Sequence, residues 1–229
     1  MQFSFAGGAW IIGSSYGTLH SDAPQKLPEI EKLFPRVPAR LGRFDDFTKL
    51  GFAAISLALQ EAGWMNLTTS EVTGLIISTQ HGVMQTDLSY YATTIEQDAL
   101  LSSPNLFSYT LPVTVIGECA GFFHLTGPTF CVGDDGRSGM NAVGTALLLL
   151  QGKQTQRMIA AWIEAPPDLG ESEPKRAAAA AVVLEQTAQN AACGKKTIQG
   201  IVKHGIVSNG ETVTSLLAFF PSIQRVVAG

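Results

Sequence analysis

At 229 residues the chain is long enough for one sizeable core, and folding at this length buries about 70% of the unfolded surface. Hydrophobic residues make up 45% and charged residues 15%, a balance that excludes intrinsic disorder. The net charge is −4 and the 15 Lys and Arg residues form no basic run, which argues against a nucleic-acid partner.

Cys119, Cys131 and Cys193 are an odd set without a CxxC spacing, so a reducing compartment is expected and the cytoplasm is the predicted location. The N-terminal stretch has no basic region and is cut by Gly7 and Gly8, so it reads as a strand and not as a signal peptide. The longest nearly apolar stretch, Ala142 to Leu150, is far short of the roughly 20 residues that span a bilayer. No membrane segment is expected.

In chain order, residues 3–13 mix aromatic, small and β-branched types and end at a Gly-Ser-Ser turn, predicting a first strand. Residues 21–43 hold Pro24, Pro28, Pro35 and Pro38, which favours a compact loop with one helical turn. From Asp45 to Ala62, Phe47, Leu50, Ala54, Leu57, Ala58 and Ala62 recur at helical spacing, with acidic residues before them and Gly63 after. Gly74–Thr79 is a short apolar run that predicts a buried strand, followed by a loop at Gln80-His81-Gly82.

A second helix is expected over Leu88–Leu101, closed by Ser103-Pro104, while Pro112–Leu125 is apolar but interrupted by glycine and fits no single type. Thr129–Val132 reads as a strand, Asp134-Asp135-Gly136 as a turn, and Ser138 as the cap of a helix running to Gln151. That helix is apolar or small on nearly every face, so it expects protein on both sides, with a second subunit as one source of cover. Arg157–Glu164, Ala178–Glu185 and Ile198–Val207 read as strands, and a short helical tail follows. Strands alternating with helices predict an α/β domain with a largely parallel sheet.

Of the residues able to do chemistry, Cys131 lies in an apolar strand and reads as a small hydrophobe with a raised pKa. Cys119, between Glu118 and Gly121, is a somewhat better candidate for reactivity, although packing explains it too. Ser138 has nucleophile chemistry at a helix start, with the cap as the simpler reading; His81 and His124 have no spacing that ties them to it. The intervals among His81, Cys119, His124, Cys131 and the aspartates fit no metal-ligand pattern, and no phosphate-binding glycine loop follows a strand. Neither a metal nor another cofactor is expected.

Six stretches in order resemble the N-terminal half of the β-ketoacyl synthase family, which has the thiolase fold: 40–64 with its Ala-Leu-x-x-Ala-Gly ending, 74–82, 103–128 ending Leu-Thr-Gly-Pro, 138–153, 157–165 and 177–185. The resemblance implies a half-thiolase α/β domain over 1–229, with a mixed, mostly parallel sheet flanked by helices on both faces. Counted from Gly127-Pro128, it puts Gly136 where the family keeps its nucleophilic cysteine. Asp134 and Asp135 precede that spot, and their charge opposes the oxyanion that acyl transfer develops. The family's two catalytic histidines belong to a C-terminal half that the resemblance does not reach.

By the same resemblance, the strand Thr129, Phe130, Cys131, Val132 and Gly133 is the expected pairing edge between subunits. The implied function is a non-catalytic synthase-like subunit in fatty-acid or polyketide-type biosynthesis, similar to chain-length factors, with a full-length ketosynthase or itself as partner. Two alternatives stay open. One is an enzyme acting on acyl thioesters through a repurposed pocket near Cys119, His81 and Asp135; the other is a homodimeric module that binds an acyl group or acyl carrier protein, whose acidity Arg36, Arg40 and Arg43 suit.

Overall fold

The computed structural model describes residues 3–34, 36–65, 72–95, 102–168, 176–186, 197–202 and 205–223. Its strands are β1 (Phe3–Ile12), β2 (Ser15–Thr18), β3 (Gln25–Lys26), β4 (Thr73–Thr79), β5 (Thr129–Gly133), β6 (Arg157–Glu164), β7 (Ala178–Gln186), β8 (Thr197–Val202), β9 (Gly205–Ser208) and β10 (Glu211–Val213). The helices are α1 (Asp46–Glu61), α2 (Met84–Ile95), α3 (Pro104–Phe107), α4 (Thr114–Phe123) and α5 (Met140–Gln151).

All ten strands join one mixed sheet, ordered β10-β9-β8-β1-β7-β6-β4-β5, with β2 and β3 hung on β1. β4 runs parallel to β5 and β6, while β7 is antiparallel to both β6 and β1. Within β5-β4-β6-β7-β1, then, every strand but β7 points the same way. Both faces of this core are covered, which is why its strands read as unbroken apolar runs with no polar alternation. Leu75, Ile77, Ile159, Ala161, Ala181 and Val183 face α1 and α4; Ile76, Met158, Ala160, Val182 and Leu184 face α5.

β1 changes face partway along. Phe3 and Phe5 lie on the α5 side, whereas Ala9 and Ile11 lie on the α1 side, because a register shift between Phe5 and Gly7 moves the side-chain phase by one residue. Past the shift, Gly7 meets the end of α1, where a Cβ would sit 2.5 Å from the Ala62 nitrogen. α1 starts on Asp45, whose carboxylate accepts the Thr48 N–H at 2.9 Å, and it is anchored by Phe52, Ile55 and Leu59, all fully buried.

The α5 face is completed by the C-terminal turns Leu216–Phe219 and Pro221–Ile223, which bring in Leu216, Phe219, Phe220 and Ile223. The buried Trp10 indole donates to the Ser222 hydroxyl at 3.1 Å, tying the end of the described chain to its first strand.

Several elements differ from the sequence reading. The proline-rich stretch holds β3 and two 3-10 turns, and β2 precedes it. α2 begins at Met84, a turn before the expected Leu88, and the expectation beyond Ile95 lies outside the described residues. Ser103-Pro104 opens α3 instead of closing a helix, with the Leu106 N–H donating to the Ser103 hydroxyl. The ambiguous 112–125 stretch is α4; Gly117 and Gly121 fall on its outward side and do not break it. Ile198–Val207 is not one strand but the antiparallel pair β8 and β9.

Ser138 does not cap α5. The cap position is Gly139 at φ 99°, and Ser138 itself sits at φ 44°. The sheet side of α5 buries Met140, Val143, Ala146, Leu147 and Leu150, but Leu148 is 59% exposed, so the expected cover on the second side is missing there among the described residues.

Candidate functional site

Parallel strands end together, and their carboxyl ends are where an open α/β sheet gathers its chemistry. Here β4 and β5 finish side by side, with Thr79 opposite Gly133, and β6 finishes beside them at Glu164. The loop 134–139 leaves β5 at this edge and turns into α5.

That loop is organised by one carboxylate. The Asp134 N–H donates to the Thr79 carbonyl at 2.9 Å, extending the ladder by one residue. Its side chain then folds over the loop: Oδ1 accepts the Gly136 N–H at 2.9 Å, and Oδ2 accepts the Gly139 N–H at 2.7 Å and the Ser78 hydroxyl at 3.3 Å. Two glycines make the turn possible. Gly136 lies at φ 87°, and at Gly139 a Cβ would approach the Trp162 Cβ to 2.8 Å as well as requiring φ 99°. The N–H at the position that the resemblance assigns to cysteine is therefore held by the protein's own carboxylate.

The rest of the loop is tied just as closely. Arg137 Nε donates to both Asp135 oxygens, at 2.7 and 2.9 Å, and its Nη2 to Asn141 Oδ1 at 2.7 Å; Asn141 in turn donates to the Gly133 carbonyl at 2.8 Å. Hydrogen bonding to the Arg137 guanidinium holds the exposed Asp135 carboxyl below the usual carboxylate range.

A second carboxylate closes the neighbouring turn. Glu164, 8% exposed at the end of β6, accepts the His81 ring at Nδ1 (2.9 Å), the His81 N–H (3.3 Å), the Gln80 N–H and the Thr79 hydroxyl (3.4 Å). His81 is thus held in a fixed orientation beside the strand ends.

The other candidates lie elsewhere. Cys119 is fully buried on α4, and desolvation, with the Glu118 charge adding to it, pushes its thiol well above the ordinary value. Cys131 is half-buried in β5, and burial raises its thiol as well. Neither thiol has the electropositive surroundings that make a thiolate. Cys119 belongs to the α1-side core while Asp135 sits on the exposed loop, so the pocket expected to combine them with His81 is not formed by the described residues. No group of three or more His, Cys, Asp and Glu residues able to hold a metal occurs among the described residues. No described helix is long and apolar enough to cross a membrane.

Sequence reasoning missed Asp134 as an acceptor for two loop N–H groups and Glu164 as the anchor of His81. The Asp-x-Gly spacing at 134–136 is the one local signal for the former, since aspartate commonly bonds the backbone two residues on. Nothing local announces the latter.

The order and directions of the strands, helices on both faces and a tight loop into α5 together define a thiolase-like α/β half. The family model for the β-ketoacyl synthase N-terminal domain matches residues 15–202, and the chain belongs to that family. No curated protein matches it.

Among solved structures, the fold is similar to a β-ketoacyl synthase from Burkholderia phymatum STM815, with 16% identity and a TM-score of 0.65 over 87% of this chain and 63% of that one. It is also similar to a chain from a type II PKS acyl-carrier protein complexed with its ketosynthase (14% identity, TM-score 0.63, 81% of this chain and 62% of that one). A third similarity is to a chain from a ketosynthase in complex with its chain length factor from Xenorhabdus doucetiae (16%, 0.53, 69% and 65%). The chain spans less than two thirds of the length of each. At these identities the likeness establishes the fold.

Proposed function

We propose that this chain is a single-domain, non-catalytic synthase-like subunit that assembles with a ketosynthase in fatty-acid or polyketide-type biosynthesis. The observation that carries the reading is the Asp134 carboxylate on the Gly136 and Gly139 N–H groups. A condensing site needs donors free for a developing oxyanion. Here the donors at the start of α5 already serve a fixed anion, and Gly136 offers no nucleophile.

The pairing edge proposed for the partner is Thr129–Gly133. β5 ends the sheet, and Phe130 is 38% exposed on it. Leu148 on the adjacent α5 is 59% exposed, and a cavity of about 350 Å³ between them is lined by Val132, Gly133, Arg137, Asn141 and Leu148, among others. An open apolar edge of this kind is costly unless another strand covers it. The ketosynthase–chain length factor complex among the similar structures is in keeping with such a partner.

A carrier-protein contact is a second reading, favoured by a cavity of about 540 Å³ lined by Arg40, Arg43, Asn105, Ser108 and Tyr109. Arg40 there reaches Glu118 at 3.6 Å, which tempers its charge, and Arg36 stacks on Phe122.

The test is capture from the native host with the purified chain as bait, followed by light scattering on the recovered assembly. A stable complex with a full-length ketosynthase that is lost on Phe130→Asp, with thermal stability unchanged, supports the reading. Recovery of the chain without any synthase, or acyl-thioester turnover by the isolated chain, overturns it.

A further inference from the structure

α2 is amphipathic in the wrong direction for an isolated subunit. The residues it turns toward the body are polar: Thr86, its one buried residue, donates to Asp45 Oδ2 at 2.6 Å, and the Thr93 hydroxyl accepts the Ser103 N–H at 3.2 Å. The opposite side carries Met84, Leu88, Tyr91 and Ile95, exposed by 41, 43, 62 and 64%. Their spacing of four, three and four residues is the seam of a helix pair, not of a solvated surface.

The seam has a symmetry of its own. When the helix is laid antiparallel to a copy of itself about a twofold between Ser89 and Tyr90, Met84 meets Ile95 and Leu88 meets Tyr91, the alternation an antiparallel coiled coil requires. In the same arrangement Asp87, the only charged residue of α2, faces Thr94 of the copy, so no like charges meet, and the two helix dipoles oppose. Beside the seam, Phe107 packs on Tyr90 with ring centroids 5.5 Å apart, and Pro112 lies against Gly82, so Phe107, Leu111 and Val113 extend the same apolar surface. At roughly 200 Å² for a fully exposed large side chain, these seven residues present on the order of 750 Å² per protomer, close to one side of a standard-size interface.

We propose that the outward face of α2, with the segment 107–113, is a docking surface for a second copy of this chain, paired antiparallel through α2. This inference is independent of the synthase-subunit reading, whose contact is at β5.

Light scattering on the full chain from micromolar to near-millimolar concentration is expected to show the mass doubling. Leu88→Glu, at an exposed position, is expected to abolish the doubling with the melting temperature unchanged, whereas Phe130→Asp leaves it intact. In a background with Cys131 and Cys193 replaced by serine, mixing the Leu88→Cys and Tyr91→Cys chains is expected to give the mixed disulfide in excess over either homodimer. A monomer at every concentration, doubling retained in Leu88→Glu, or Leu88→Cys joining chiefly to itself would each overturn the proposal. So would loss of ketosynthase capture in Leu88→Glu without self-association, because the surface then belongs to the synthase.

Discussion

The Gly139 N–H donates to Asp134 Oδ2 at 2.7 Å, so the residue that caps α5 is five positions before it and on the far side of the turn. The same carboxylate holds the Gly136 N–H, and removing it leaves two donors at a helix start without partners. Asp134→Ala is expected to lower stability by about 1–2 kcal/mol, the loss typical of a helix cap, and the melting temperature by roughly 2–8 °C. Asp134→Asn keeps one acceptor oxygen and is expected to fall between the two. Denaturant titration of the three proteins checks the order.

Installing the missing nucleophile is not expected to produce a reactive thiol. At Gly136 no atom lies within 4 Å of a built Cβ, so a cysteine fits, but φ 87° strains it, and Asp134 places a negative charge beside the sulfur. Gly136→Cys is therefore expected to alkylate with iodoacetamide no faster than an ordinary thiol at neutral pH, and Asp134→Ala in the same chain is expected to speed it. A fast, low-pH reaction in the single variant contradicts this account of the loop.

The strands of the core were legible because burial on both faces leaves a plain mark: Gly74–Thr79, Thr129–Val132 and Arg157–Glu164 are short runs with hardly a polar residue inside them, and the structure has strands at all three. Local signals failed where the deciding partner is distant or where glycine overrides a propensity. Serine before an apolar helix reads as a cap, but Gly136 and Gly139 turn the backbone left-handed, and Asp134 takes the bond Ser138 was expected to make. Glu164 meets His81 across 83 residues of chain, which no pattern within either segment announces. In 112–125 two glycines concealed a helix because nothing in the sequence says they face outward.

Gly7 and Gly8 interrupt an apolar strand for a reason that only the packing supplies. A Cβ on Gly7 would meet backbone atoms of α1, 2.5 Å from the Ala62 nitrogen and 2.8 Å from the Ala58 carbonyl oxygen, and backbone cannot swing aside. On Gly8 the contacts are at 3.0 Å and are side chains of Leu19 and Val182. Gly7→Ala is expected to cost about 3 kcal/mol and Gly8→Ala about 1 kcal/mol, following the range for overpacked cores. Chemical denaturation of the two single variants checks the ranking, and equal losses would contradict the close approach of α1 to β1.

Glu61, at the end of α1, sets an acid limit on stability. Its carboxylate accepts the N–H groups of Gly8 at 2.6 Å, Leu19 at 3.2 Å and His20 at 3.1 Å, together with the His20 ring at 3.0 Å. Burial alone would raise its pKa, but hydrogen bonds from the Thr18 hydroxyl, Gly8 and His20 outweigh burial and hold it below the ordinary value of 4.5. A carboxyl depressed in the folded state contributes stability that is fully present above its unfolded pKa and is lost as pH falls through the folded one. The wild-type chain is therefore expected to lose stability below about pH 4.5, in part through this group. Glu61→Gln keeps the shape but replaces a charged acceptor of several N–H groups; it is expected to lower stability by roughly 1.5–3 kcal/mol at pH 7 and to flatten the acid limb. Urea titrations of both proteins from pH 7 down to pH 3 check the prediction, and parallel pH profiles would show that Glu61 has no such role.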